Sequence, residues 1–206
     1  MVLLLSISLG SVAIPIDEII AILLGNSSSK SSWYTIILHF RLPKAITAML
    51  VGSGLSIAGL LMQTLFKNPL AGPFVLGISS GASLGVAILI LGAGIFGGVL
   101  TVISFSSWGL AIASSLGAAI VLLAVLITAH KVRNTMSILI IGLMFGTVTS
   151  AIISVFTFFS DAEKIQQFIF WGFGSLGNLS WNEILVFFII YLISILTLLN
   201  VIKPLN

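Results

Sequence analysis

The sequence predicts an all-α membrane protein, a polytopic bundle of about six transmembrane helices, and three observations carry that expectation. Of 206 residues, 59% are hydrophobic and 6% are charged, where an average soluble domain is about 25% charged. A chain of this size cannot hide that much apolar surface in one core and still cover itself with polar groups, so its solvent is lipid. Five apolar runs, residues 43–66, 75–100, 108–129, 136–159 and 184–202, each come near the ~20 residues that cross a hydrocarbon core. No Asp, Glu, Lys or Arg falls inside a run; Lys44 stands at the edge of one. The runs are too long, and too free of turn signals, for barrel strands of about ten residues.

The elements follow in chain order. Residues 1–14 are apolar but short for a span, and lack the basic flank of a signal peptide. They read as the end of a first span whose beginning is missing, with an interfacial segment as the alternative. Residues 16–24 form a short amphipathic helix, and NSSSKSSWYT an exposed connection. The run 43–66 ends in LMQTLFKNPLAGP, where Asn68-Pro69 and Gly72-Pro73 are breaker signals. Lys67 can snorkel to the interface, and Gln63 lies about one turn inside, where an amide needs a partner. Irregular backbone at such depth is tolerated when packed in protein or lining a cavity. The stretch reads as a tight re-entrant corner, with an ordinary loop as the alternative.

In the run 75–100, Gly77, Gly81 and Gly85 fall four apart, and Gly142 and Gly146 repeat the spacing. Small residues on one helical face let backbones approach closely; a Gly/Ser/Thr-lined pathway is the functional alternative. Leu89 is expected to face lipid or soft packing. The connection after run 136–159 contains an amphipathic helix near residues 162–171.

The charges divide into two sides. Lys67, His130, Lys131, Arg133 and Lys203 form an acid-free side, while Lys30, Arg41, Lys44 and Lys164 share theirs with Asp17, Glu18, Asp161, Glu163 and Glu183. Lys plus Arg ties at four a side, so the positive-inside rule alone does not orient the chain; the compact HKVRN loop favours a cytoplasmic acid-free side.

Several function classes recede. Charge-free spans argue against a self-powered proton-coupled carrier or a voltage sensor. GISSG lacks the spacing of a Gly-x-Ser-Gly protease, and His39 and His130 lie at span ends on opposite sides. None of the six lysines follows a Gly, so there is no phosphate-binding P-loop, and uphill transport would draw its energy from another chain. No carboxylate pair or His cluster has metal-site spacing, the chain has no cysteine, and its net charge of +3 is scattered. Hence no enzyme activity, metal, cofactor or nucleic-acid partner is expected.

The stretch RLPKAITAMLVGSGLSIAGLLMQTLFKNPLAGPFVLGISSGASLG closely resembles the signature of FecCD-type permeases. These are membrane subunits of ATP-binding cassette (ABC) importers for iron–siderophores, haem and cobalamin. The matching positions are Arg41-Leu42-Pro43, Gly52, Gly59, Gln63, Asn68-Pro69-Leu70-Ala71, Pro73, Leu76-Gly77 and Ser80-Gly81-Ala82. FWGFGSLGNLSW resembles the family's extracytoplasmic stretch after the fifth span, and the final KPLN the start of its next cytoplasmic loop. The likeness covers essentially the whole chain.

The resemblance implies a permease fold of about ten spans in the bacterial inner membrane, moving solute by alternating access. It implies as partners a second permease subunit (an identical copy or a paralogue), ABC ATPase subunits and an extracytoplasmic solute-binding protein. The fifth span and its outer helix help line the pathway. The inner gate is flanked by Asn68 and Leu70 and by Thr135 and Met136. Against that pattern, residues 1–206 are expected to form a single transmembrane permease domain, its N-terminal portion. It starts late and stops before the ATPase-docking segment and the last four spans. A stand-alone six-span channel and a non-transporting membrane fragment are the rival readings.

Overall fold

The structure, a computed structural model, describes residues 2–25, 30–93, 106–132, 135–177 and 179–202. All regular structure among the described residues is helical. Four of the described helices are long and apolar enough to cross a membrane: Ser31–Phe66, Ser107–Ala129, Met136–Phe158 and Trp181–Asn200. The chain divides into two compact units, Met1–Ser56 with Ser175–Asn206, and Ile57–Gly174.

The first unit begins with α1 (Val2–Ser8) and α2 (Ile16–Leu23). The segment 1–14 thus contains a helix of seven residues. α2 carries Asp17 and Glu18 in its first turn, where the helix dipole favours acids. It buries Ile19 and Ile22 in a core with Ile7, Ile14, Ile37 and Ala45. Next comes one continuous helix of 36 residues, Ser31–Phe66, built from α3 (Ser31–Thr35), a π-turn (Ile36–Arg41) and α4 (Leu42–Phe66).

This corrects the expectation that Pro43 opens the span, which instead starts at Ser31; of NSSSKSSWYT, residues 26–29 lie outside the described residues and Lys30, Ser31, Ser32, Tyr34 and Thr35 are exposed as expected. A proline inside an α-helix removes one N–H and collides with the carbonyl four residues back. Here the helix widens before it: the Leu42 N–H bonds to Ile37 O, five residues back. The next carbonyl in that register, on Leu38, would need a donor from residue 43, and Pro43 has none. The indole Nε1–H of Trp181 supplies it at 3.1 Å. Trp181 opens α9 (Trp181–Ile202), which a capping box starts: the Ser180 N–H donates to Glu183 Oε2 at 2.7 Å, and the Glu183 N–H to Ser180 Oγ at 3.4 Å. Further along, the Tyr191 hydroxyl bonds Ser53 Oγ at 2.9 Å.

The second unit holds the end of α4, a 3₁₀ turn (Pro73–Leu76), α5 (Ile78–Ile90), α6 (Ser107–Ala129), α7 (Thr135–Phe158) and α8 (Ala162–Phe173). α5 starts at Ile78 rather than 75 because Gly77 is left-handed, with φ 72°. The end of the expected run 75–100 lies outside the described residues. α5 and α6 meet backbone to backbone. A Cβ on Gly81 would lie 2.6 Å from Gly117 O, and one on Gly85 would collide with Ala113 O. A Cβ on Gly117 would in turn strike Gly81 O. Leu89, expected toward lipid, is buried at 6% exposure, on a helix whose Val86, Ala87, Ile90 and Leu91 form a core under Phe156, Phe168 and Trp171.

Candidate functional site

The corner after α4 is built from a helix stop, an Asx turn and a 3₁₀ turn. The Asn68 N–H reaches Gln63 O at 3.2 Å and the Lys67 N–H reaches Thr64 O at 3.3 Å. This is the paired six-to-one and five-to-two closure of a Schellman stop. Its left-handed position is usually Gly but here is Lys67, φ 48°. Asn68 Oδ1 then accepts the Leu70 N–H at 2.9 Å, and Asn68 O accepts the Ala71 N–H at 3.1 Å. Pro69 occupies the second position of that turn, where its fixed φ fits and no N–H is needed. Pro73 opens the 3₁₀ turn for the same reason.

Burial alternates sharply along the corner. Phe66, Ala71 and Leu76 are buried with Val121 and Val125 of α6, against Ile138 and Leu139 of α7. Leu70 projects, 89% exposed, and Phe74 is 66% exposed. α7 presses on the 3₁₀ turn through Gly142, where a Cβ would strike Val75 O. The frame is therefore packed in protein, and two apolar side chains, Leu70 foremost and Phe74, stand off it.

The other expected gate residues sit at the start of α7. Thr135 is its first residue, with a side chain outside the described atoms, and Met136 is 52% exposed. The structure brings the corner and the first turns of α7 into one cluster, through Ile138 and Leu139. Of the signature positions, Gly77, Gly81 and Gly85 are close-packed, while nothing lies within 4 Å of a Cβ on Gly59. The Gln63 side chain is exposed and its carbonyl closes the helix stop.

Arg41 does something the sequence did not suggest. Its Nη1 donates to Ile7 O at 2.6 Å and Ser8 O at 3.0 Å, and Nη2 donates to Val12 O. The guanidinium thus satisfies carbonyls left over at the end of α1 and completes their negative dipole end with a positive charge. Gly10 makes room for it: a Cβ there would sit 2.8 Å from Arg41 Nη2. Pro43, buried two residues on, is the residue whose missing N–H recruits Trp181. Trp181, Gly10 and Gly117 were all missed. Only the capping box beside Trp181, Ser-x-x-Glu, leaves a readable trace.

Comparison with known proteins places the chain. The family model described as the FecCD transport family matches residues 1–206. The vitamin B12 import system permease protein BtuC of Escherichia coli O1:K1 / APEC is 32% identical over 161 residues, covering 75% of this chain and 47% of that protein. The BtuC of Escherichia coli strain K12 / DH10B matches with the same figures. A solved structure described as a metal-chelate type ABC transporter, in an inward-facing conformation, superposes with a TM-score of 0.75 at 27% identity. It covers 94% of this chain and 56% of the solved one. The chain spans about half the length of the curated relatives it matches. With its apolar spanning helices, it is a multi-pass protein of the bacterial inner membrane and belongs to the FecCD transport family.

Proposed function

We propose that the chain is the N-terminal portion of the membrane-spanning subunit of an ABC importer, a single permease domain to which both compact units contribute. The subunit pairs with a second permease, sits on ABC ATPases and receives solute from an extracytoplasmic binding protein. It performs no covalent chemistry of its own: it opens and closes a path, and ATP hydrolysis elsewhere drives the cycle. The solute is a large chelate or corrinoid, an iron–siderophore, haem or cobalamin. Support for that class comes from family membership and from two relatives, one named for vitamin B12 import and one described as a metal-chelate type transporter.

Asn68, Leu70, Thr135 and Met136 form the inner gate in this reading. The observation that carries it is Leu70, 89% exposed on a corner whose neighbours Phe66 and Ala71 are 3% and 5% exposed. A gate needs a side chain that can seal a passage, on a frame stiff enough to be moved as a unit. The Asx turn supplies the stiffness, since the Asn68 amide is engaged by the Leu70 N–H. Nucleotide binding then biases the frame between two positions.

The test is a cysteine at Leu70 in the assembled importer. Leu70→Cys is expected to cross-link to its mate in the paired subunit, with a yield that changes when ATP binds. No cross-link in any nucleotide state, with transport intact, would overturn the gate.

A further inference from the structure

Beside Arg41, the first unit carries a groove of about 670 Å³, within the ~300–1,000 Å³ range of small-ligand sites. Its lining is apolar at Leu9, Val12, Ile36 and Phe40, and cationic at Arg41 and Lys44. Among the described residues, no Asp or Glu lines it. Arg41 has five N–H donors, of which carbonyls take three; the Nε–H and one Nη2–H remain. Lys44 is exposed and has no hydrogen bond or ion pair among the described residues. It lies within the helix Ser31–Phe66, just past the π-turn Ile36–Arg41. Long Lys and Arg chains on a membrane helix reach toward the phosphates at the bilayer surface.

These features ask for a ligand with two parts. A free anion would answer the cations and leave the apolar wall wet. A neutral lipid would cover the wall and leave Lys44 without a counter-charge. We propose that the groove holds an anionic phospholipid, its phosphate on Arg41 and Lys44 and the upper part of an acyl chain along Leu9, Val12, Ile36 and Phe40. The proposal does not depend on the gate assigned above.

Native mass spectrometry of the purified chain, with phosphatidylglycerol and phosphatidylcholine of equal chain length, tests it. Phosphatidylglycerol should be retained in preference. Lys44→Gln should weaken that retention about fivefold, the weight of one basic residue near an anionic surface. Lys131→Gln, outside the groove, should leave it unchanged, and millimolar inorganic phosphate should not displace the lipid. Lys44→Gln leaves the Arg41 bonds to α1 in place, and circular dichroism checks that its helix content is kept. Equal retention of the two lipids, no effect of Lys44→Gln, or displacement by phosphate alone would each overturn the proposal. So would loss of the preference in a longer form of the chain, since protein would then cover the groove.

Discussion

The seam between α5 and α6 and the junction around the π-turn hold their helices by opposite means. In the seam, side chains are absent: Gly81, Gly85 and Gly117 bring one backbone onto another, and dispersion over that contact replaces the hydrophobic drive that lipid does not supply. In the junction, side chains reach carbonyls that the helices cannot satisfy themselves, Arg41 at the end of α1 and Trp181 on Leu38 O. The seam depends on shape and tolerates no added atom. The junction depends on donors and tolerates changes of shape that keep the donor. Perturbing each in its own currency separates the two.

The largest effect is expected in the seam. Even a Cβ on Gly81 would lie 2.6 Å from Gly117 O and 2.8 Å from Val121 Cβ, so Gly81→Leu has to force α5 and α6 apart. It should abolish monodisperse protein in detergent. Leu89→Ala, within the same helix, should leave a folded protein weakened by about 2–5 kcal/mol, the cost of a buried large-to-small change. If Gly81→Leu gave the better-folded protein of the two, the seam would not be the close contact described.

The junction should respond less and more selectively. Trp181→Phe keeps the ring but removes the N–H, leaving the Leu38 carbonyl short of a donor at about 1–3 kcal/mol, read as a lower midpoint of thermal unfolding. In a Pro43→Ala background the backbone regains an N–H in that register, so Trp181→Phe should cost less there. An equal loss in both backgrounds would show that the indole stabilises by packing alone. The smallest effect belongs to the corner. Lys67→Gly relieves a left-handed non-glycine residue, φ 48°, and should raise stability by about 1 kcal/mol. A fall instead would mean that the Lys67 side chain holds the corner.

Legibility in the sequence followed the same division. The runs 108–129 and 136–159 became helices at Ser107–Ala129 and Thr135–Phe158, because an unbroken apolar stretch bounded by polar turns leaves the backbone few options in lipid. The four-spaced glycines announced the seam, although their partner Gly117 sits in a run with no comparable row. At the corner, Asn68-Pro69 and Gly72-Pro73 marked the break, but nothing in the string told Leu70 from Ala71, which differ from projecting to buried. That distinction is set by which way the Asx turn faces α6 and α7. The junction stayed hidden for a different reason. Pro43 reads naturally as a helix start, and its remedy is a tryptophan 138 positions away, paired only in three dimensions.

The π-turn at Ile36–Arg41 also alters how the long helix must be read. Each residue advances a regular α-helix by about 100°, so one additional residue in a turn shifts everything beyond it by that angle. Trp33 on one side, and Ala45 and Thr47 on the other, therefore obey two phases, and no single helical wheel drawn through Ser31–Phe66 describes either face. The widened turn works as a one-residue insertion that an otherwise strict geometry has absorbed. A deletion there would not shorten the helix so much as rotate one half of it against the other.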